Sequence, residues 1–151
     1  MASAHSYGAT RENNKTENEA VQFLLAQNSR LKLPTTKERR EILDNLNLAA
    51  SFSRAYDLVL LPPGKTRISD VVPGRLVLVE LKTTRKQLEN NPNGFFFGAT
   101  ENEFQLAKKL ERSYLFCFVS LHPQSRSYSL ITLSDLEKRI KTKRVQYQIN
   151  L

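Results

Sequence analysis

The chain has 151 residues, of which 40% are hydrophobic and 25% charged, and its formal net charge is +8 at pH 7. This composition excludes a chain that is disordered throughout, and the length fits one domain that needs no disulfide or structural metal. The single cysteine, Cys117, lies inside an apolar run, so we predict a buried strand residue and neither a nucleophile nor a zinc ligand.

The positive charge and the absence of long apolar segments limit the classes of partner. No apolar stretch approaches the ~18 residues of a membrane span, and the N-terminus lacks the hydrophobic region of a signal peptide. We therefore expect a soluble, cytoplasmic protein that does not contact a membrane. The basic residues recur along the whole chain, which favours a folded surface that binds a polyanion such as nucleic acid.

The N-terminal third is predicted to be helical. Residues 1–15 are polar and are expected to be flexible, whereas residues 16–151 are expected to form a single domain. A capping-box pattern at Thr16–Glu19 predicts an amphipathic helix from about Glu17 to Asn28. A second, short helix is predicted to end at about Leu46.

Three strands are predicted next, at about 48–54, 56–61 and 75–82. Turns at Pro62–Gly64 and Pro73–Gly74 separate them. The last two strands are continuous aliphatic runs, which is typical of strands that are buried on both faces.

The second half of the chain places a helix between two strands. The capping box Thr100–Glu103 predicts a helix that ends near Arg112 and leads into a strand at Tyr114–Ser120. A strand, a helix and a strand with buried runs imply a parallel crossover, so the expected fold class is α/β. Three additions follow: a strand at 127–132, a basic helix opened by Ser134–Glu137, and an edge strand at 145–149.

Three charged residues lie at the margins of the two buried runs. Asp57 precedes the run 58–61, and Glu80 and Lys82 end the run that begins at Leu76. Glu80 and Lys82 are two residues apart, so on a strand they face the same side. A buried charge without a partner is costly, so we expect either a mutual salt bridge or a bound cation to compensate these charges.

The three charges match the needs of phosphodiester hydrolysis. One or two Mg²⁺ ions, held by carboxylates, can activate a water and offset the charge of the phosphate. Asp57 and Glu80 on neighbouring strands would supply the carboxylates, and the carbonyl of Leu81 a further oxygen. Lys82 can hold the water or the phosphate. Mg²⁺ is the expected cofactor, with Mn²⁺ as its substitute.

Asp57 followed by Glu80-Leu81-Lys82, in the order helix, strands, helix, strand, resembles the PD-(D/E)xK nuclease superfamily of restriction endonucleases and Holliday-junction resolvases. Two stretches, Val79–Thr84 and Gly98–Glu103, resemble the domain at the C-terminus of the plant protein NO VEIN and in bacterial defence proteins. The resemblance covers about residues 16–120. It implies a restriction-endonuclease-like sandwich, with a central mixed sheet flanked by helices, an α-β-β-β-α-β core and a C-terminal β-α-β addition.

The resemblance also implies a role for each residue of the motif. Asp57 and Glu80 would bind the metal, and Lys82 would position or activate the attacking water. An acid on the first helix would add a ligand or an outer contact, and Glu17 is favoured slightly over Glu19 because it shares a face with apolar residues. The alternative for both acids is to satisfy the free amide groups of the first helical turn.

Two basic segments are candidates for nucleic-acid binding, with a solvated strand end and a solvated helix face as the alternatives. Phe95–Phe97 are predicted to be core residues, with base stacking as the alternative. The candidate contacts are Thr83, Thr84, Arg85, Lys86, Lys141, Lys143 and Arg144.

The predicted function is that of a Mg²⁺-dependent endonuclease that hydrolyses DNA with a metal-activated water. One alternative on the same fold is a non-catalytic module that binds nucleic acid. Another is a subunit of a restriction or defence complex. Any sequence specificity is expected to come from loops, from a homodimer or from another subunit, and the motif is compatible with DNA or RNA.

Overall fold

The computed structural model describes residues 4–151, with side chains from Asn14 onward. The predicted flexible segment 1–15 lies largely outside the described side chains, and its flexibility stays a prediction. Within the described residues the α-helices are α1 (Ala4–Gln27), α2 (Thr36–Asn45), α3 (Glu101–Leu110) and α4 (Leu133–Arg139). The strands are β1 (Leu31–Lys32), β2 (Leu58–Leu60), β3 (Val77–Thr84), β4 (Tyr114–Ser120) and β5 (Ser127–Ile131). Short 3-10 helices cover Ala50–Arg54, Ile68–Asp70, Pro73–Arg75 and Glu111–Ser113.

The strands form one mixed five-stranded sheet in the order β1-β2-β3-β4-β5. β1, β2 and β3 are antiparallel neighbours, β3 and β4 are parallel, and β5 is antiparallel to β4. The parallel pair needs a crossover, and the segment that contains α3 provides it. The predicted α/β class, with a central mixed sheet flanked by helices, is confirmed.

Helices cover both faces of the sheet, because side chains alternate along the buried strands. On one face, α1 packs through Ala20, Val21 and Leu24. On the other face, α2, α3 and α4 pack against strand residues that include Phe116 and Phe118. This second face also receives Glu80 and Lys82, since they continue the alternation of Leu78 along β3. Cys117 is buried on the α1 face, as predicted, and burial raises the pKa of its thiol to about 12.

Threonine side chains begin three of the helices by accepting a hydrogen bond from an amide of the first turn. Thr35 begins α2 and Thr100 begins α3, the latter as predicted. Thr132 begins α4, so the predicted start at Ser134 is wrong by two residues. The Thr132 oxygen already accepts the amide of Asp135, which leaves Ser134 inside the helix.

The first helix is longer than predicted, with 24 residues. The capping pattern at Thr16 lies inside α1, where the preceding turns supply main-chain partners for the amides that a cap would otherwise satisfy. Neither α1 nor another helix in the described part of the chain combines the length and apolar character needed to cross a membrane.

Two predicted strands do not form. Residues 50–54 make a 3-10 helix, in which Phe52 packs into the core. Residues 145–149 have no regular structure, and the side chains of Val145, Tyr147 and Ile149 are exposed. Alternating apolar residues favour a strand only where a sheet edge and a packing surface receive them. The C-terminal β-α-β addition is therefore reduced to β5 and α4.

A sharp turn joins α3 to β4. One of its residues, Glu111, has a backbone conformation that is unfavourable for a residue with a Cβ atom. Glu111 has φ 50° and ψ −111°, a region that glycine adopts without steric cost. We expect Glu111→Gly to raise the free energy of unfolding by about 1 kcal/mol, measured by urea denaturation. Glu111→Ala removes the same charge but keeps the Cβ atom, so an equal gain in that variant would contradict the backbone explanation.

Candidate metal centre and its surroundings

Asp57 and Glu80 approach each other where β2 begins. The register pairs Leu58 with Val79, so Asp57, which precedes Leu58, and Glu80, which follows Val79, lie at the same end of this strand pair. The amide of Asp57 donates to the carbonyl of Val79 at 2.8 Å. The carboxyl groups of Asp57 and Glu80 lie close enough for a hydrogen bond when one of them is protonated. Two acids that are 23 positions apart in sequence thus face each other across neighbouring strands.

The side chain of Asp57 also provides a hydrogen-bond partner for β3 at a position that the short strand β2 does not reach. The amide of Leu81 donates to Oδ2 of Asp57 at 2.7 Å. The carboxylate therefore takes the place of a main-chain partner, and this bond fixes its orientation. The N–H and C=O of one strand residue point to the same side, so the Leu81 carbonyl faces the Asp57 side as well. This is the direction that the predicted metal ligand needs.

Glu80 is a buried acid with an unsatisfied oxygen. Only 4% of the residue is exposed, and Oε2 has no hydrogen-bond partner among the described residues. Burial is the largest cause that raises the pKa of Glu80; together with the neighbouring Asp57 and Glu103, and against the opposing charge of Lys82, it brings this pKa from 4.5 to about 11. Burying a carboxyl oxygen without a partner is costly, so a cation at this point would remove the penalty.

Lys82 pairs with an acid that the strand pattern did not indicate. Its Nζ donates to Oε1 of Glu103 at 2.7 Å, and the two side chains are only 13% and 8% exposed. The mutual Glu80–Lys82 salt bridge considered from the sequence is therefore replaced by a Lys82–Glu103 pair. The Thr100 hydroxyl donates to the other oxygen of Glu103 at 3.1 Å. Both oxygens of Glu103 are thus bonded, which fixes the position of the Lys82 ammonium.

Glu103 is the residue of this cluster that sequence reasoning missed as a site residue. Its place in the capping box predicted a local role, and that role is present, since its amide donates to Thr100 at 3.2 Å. The tertiary role arises because α3 packs on the same sheet face that carries Lys82. The one available signal was the likeness of the stretch Gly98–Glu103 to the defence-protein domain.

The two acids of α1 have different surroundings. Partial burial and the charge of Asp57 raise the pKa of Glu17, whereas Lys82 lowers it, so its carboxylate lies towards the cluster. Glu19 accepts hydrogen bonds from Arg85 at 2.6 Å and from Arg126 at 3.3 Å. The Arg85 bond is the main cause of the lowered pKa of Glu19. The slight preference for Glu17 as a metal ligand stays a prediction.

The donor set suits a hard cation held partly by water and substrate. Among the described residues, no group of three or more His, Cys, Asp or Glu side chains is arranged to hold a metal. Asp57, Glu80 and the Leu81 carbonyl supply oxygen atoms, and Mg²⁺ commonly binds one or two carboxylates and fills its other positions with water and phosphate oxygens. The unsatisfied Oε2 of Glu80 fits such an ion.

Comparison with family models, curated proteins and solved structures finds no match to this chain. The relationship to PD-(D/E)xK nucleases therefore stays a prediction, carried by the motif and by the geometry of Asp57, Glu80 and Lys82.

The predicted phosphate contacts after β3 are partly engaged elsewhere. Thr83 and Thr84 are half-buried at the end of β3. Arg85 is held by Glu19, and Lys86 is exposed while its amide donates to the Thr84 hydroxyl. Of this segment, Lys86 retains the most freely accessible charge.

The predicted contacts near the C-terminus lie on an exposed segment without regular structure. Lys141, Lys143 and Arg144 are all exposed. The ammonium of Lys143 lies 5.2 Å from the ring centroid of Phe104. Phe104 belongs to α3, the helix that also carries Glu103. This segment therefore comes close to the helix that supports the candidate centre.

The three consecutive phenylalanines divide between core and solvent. The rings of Phe95 and Phe97 each pack edge-on against Phe118 with centroids 5.0 Å apart, as predicted for core residues. Phe96 is 94% exposed on the loop that precedes α3. Base stacking therefore stays open for Phe96 alone.

An arginine-rich concavity of about 510 Å³ adjoins the centre, and its lining includes Arg39, Arg40, Arg54, Tyr56 and Asp57. Sequence reasoning did not indicate this site, because Lys37–Arg40 looks like an ordinary charged helix face. We call this concavity the arginine groove.

Arg39 anchors α2 to the segment that precedes Asp57. Its guanidinium donates to the carbonyls of Ser53 and Tyr56 and, at 3.1 Å, to that of Asp57, while the Tyr56 hydroxyl donates to the carbonyl of Arg39. We expect Arg39→Leu to lower the free energy of unfolding by about 2 kcal/mol, because these carbonyls lose a charged donor. Urea denaturation measures the change, and Arg40→Leu, which removes an exposed neighbouring charge, is the control. Equal losses in both variants would contradict the anchoring role.

Proposed function

We propose that this protein is a divalent-metal-dependent endonuclease of the PD-(D/E)xK type that hydrolyses DNA phosphodiester bonds. The observation that carries the proposal is the convergence of Asp57 and Glu80 from adjacent strands, with one buried Glu80 oxygen left without a partner. The restriction-endonuclease-like sandwich is part of the same proposal. Helices on both faces of the sheet and the order of α1, β2, β3, α3 and β4 support it.

The residues of the centre have separable tasks in this proposal. A bound Mg²⁺ supplies a water of lowered pKa and a counter-charge for the phosphate. Asp57, Glu80 and the Leu81 carbonyl would hold that ion. Asp57 is already oriented by the Leu81 amide, and this preorganisation lowers the cost of binding.

Lys82 provides the fixed positive charge next to the two acids. Glu103 holds its ammonium at 2.7 Å in a largely buried position. In such surroundings a charge acts more strongly on a phosphate or an attacking water than it would in bulk solvent. Lys82 therefore orients the water or stabilises charge on the phosphate oxygens, and Glu103 positions Lys82.

A second candidate is a nucleic-acid-binding module without catalysis. It is favoured by the internal pairing of two of the charges, because Asp57 accepts the Leu81 amide and Lys82 pairs with Glu103 in the absence of a metal. On this candidate the charges serve the fold, and binding depends on the net charge of +8. On this candidate Glu80 keeps its proton and shares it with Asp57, so no cation is needed.

A cleavage assay separates the two candidates. Wild type and Asp57→Asn, purified in parallel, are incubated with labelled single- and double-stranded DNA and RNA in Mg²⁺, in Mn²⁺ or in EDTA. We expect wild type to cut DNA with either metal, and expect no cutting in EDTA or by the variant. Binding without cleavage would support the module, and equal cleavage by both proteins would mean a contaminating nuclease and overturn the proposal.

A further inference from the structure

The arginine groove combines one fixed guanidinium with two free ones. Arg39 is held by main-chain carbonyls and lies over the ring of Tyr56 at 4.7 Å. Arg40 and Arg54 are exposed, and neither forms a salt bridge with another side chain in the described part of the chain. The groove thus carries positive charge that no described acid neutralises by an ion pair.

The groove and the candidate metal centre share Asp57. Asp57 is the only acid among the described residues that line it, and Arg54 precedes Asp57 by three positions at the end of a 3-10 helix. A ligand that fits the groove needs anionic groups at Arg40 and Arg54. Such a ligand would also reach Asp57, which belongs to the candidate metal centre.

We propose that the arginine groove binds backbone phosphates of the nucleic-acid strand whose scissile phosphate lies at Asp57 and Glu80. This inference rests on the proposed function and names the surface that delivers the substrate. Guanidinium groups match phosphate oxygens through paired N–H donors, and they keep their charge at every physiological pH. The charge of Arg85 is already paired with Glu19, whereas those of Arg40 and Arg54 are not, so the proposal assigns the main contact surface to α2 and the 3-10 helix.

A pair of double variants with equal loss of charge tests this proposal. Arg40→Ala/Arg54→Ala removes the two free charges of the groove. Lys65→Ala/Arg75→Ala removes two exposed charges from the turns between β2 and β3, at the opposite end of these strands. Binding of a labelled DNA duplex is measured by fluorescence anisotropy in Ca²⁺ over a range of salt concentrations, and circular dichroism checks the fold.

We expect the groove variant to bind about tenfold or more weakly at ~0.1 M salt. Its salt slope should fall by about 1.8, since each lost phosphate contact removes about 0.9. The control should stay within about twofold of wild type. Equally weakened DNA binding in both variants, or unchanged binding in the groove variant, would overturn the groove assignment. In that case the proposed function would still stand if the wild type cleaved DNA. If wild type bound and cleaved no nucleic acid, both proposals would fail.

Discussion

Replacing Lys82 by methionine is expected to reduce the rate of Mg²⁺-dependent DNA cleavage by about 10³-fold. Removing one preorganised electrostatic group from an active site typically costs about 10²–10³ in rate. Lys82 is held at 2.7 Å from Glu103 and is largely shielded from solvent, so water cannot readily replace its charge. Single-turnover cleavage under saturating protein measures the chemical step, and DNA binding should change by less than about tenfold.

The loss of rate must be separated from a loss of folding. Lys82→Met leaves Glu103 buried and unpaired, which is expected to cost about 3 kcal/mol of stability. In the double variant Lys82→Met/Glu103→Gln the second substitution removes this charge, so most of the stability should return while cleavage stays low. Recovery of cleavage together with stability would show that Lys82 serves only the fold.

The second large effect is expected at Glu80. We expect Glu80→Gln to abolish cleavage and yet to stabilise the metal-free protein at neutral and alkaline pH. The carboxyl oxygen Oε2 is buried without a partner, and burial together with the neighbouring Asp57 and Glu103 raises the pKa of Glu80 from 4.5 to about 11. The unfolded chain releases this proton above pH 4.5, whereas the folded chain retains it until pH is much higher. The wild type therefore loses stability as pH rises through this window.

The glutamine side chain of the Glu80→Gln variant does not titrate, so its advantage over the wild type should grow with pH. The difference is small near pH 4.5 and increases by up to about 1.4 kcal/mol per pH unit above it. Thermal denaturation in EDTA at a series of pH values measures the difference. Adding Mg²⁺ should raise the melting temperature of the wild type and leave that of Glu80→Gln unchanged. A variant that is less stable than the wild type at about pH 8 in EDTA would refute this explanation.

The buried strands could be predicted from sequence because their aliphatic runs have few alternatives. Leu78–Thr84 and Tyr114–Ser120 pair as parallel neighbours, as the intervening helix implied. The antiparallel register that brings Asp57 to Glu80 could not be predicted, since it depends on the long connection through residues 61–76. The roles of Asp57, Glu80 and Lys82 in metal binding and catalysis stay predictions.

Local patterns failed where a residue has both a local and a tertiary partner. Glu103 matched a capping box, and this concealed its ion pair with Lys82, which is 21 positions away. Arg39 belongs to a charged run, but its partners are main-chain carbonyls 14 to 18 positions further along. The alternation from Val145 to Ile149 shows which side chains share a face, but it cannot show whether a sheet edge is available to them.

The most direct test of the central claim is anomalous diffraction from crystals grown with Mn²⁺, compared with crystals of Glu80→Gln. We expect a peak in the wild type within coordinating distance of Asp57, Glu80 and the Leu81 carbonyl, and no peak in the variant. Wild-type crystals with no Mn²⁺ at this position would contradict the assignment if Glu80 remained buried and Asp57 remained bound to the Leu81 amide.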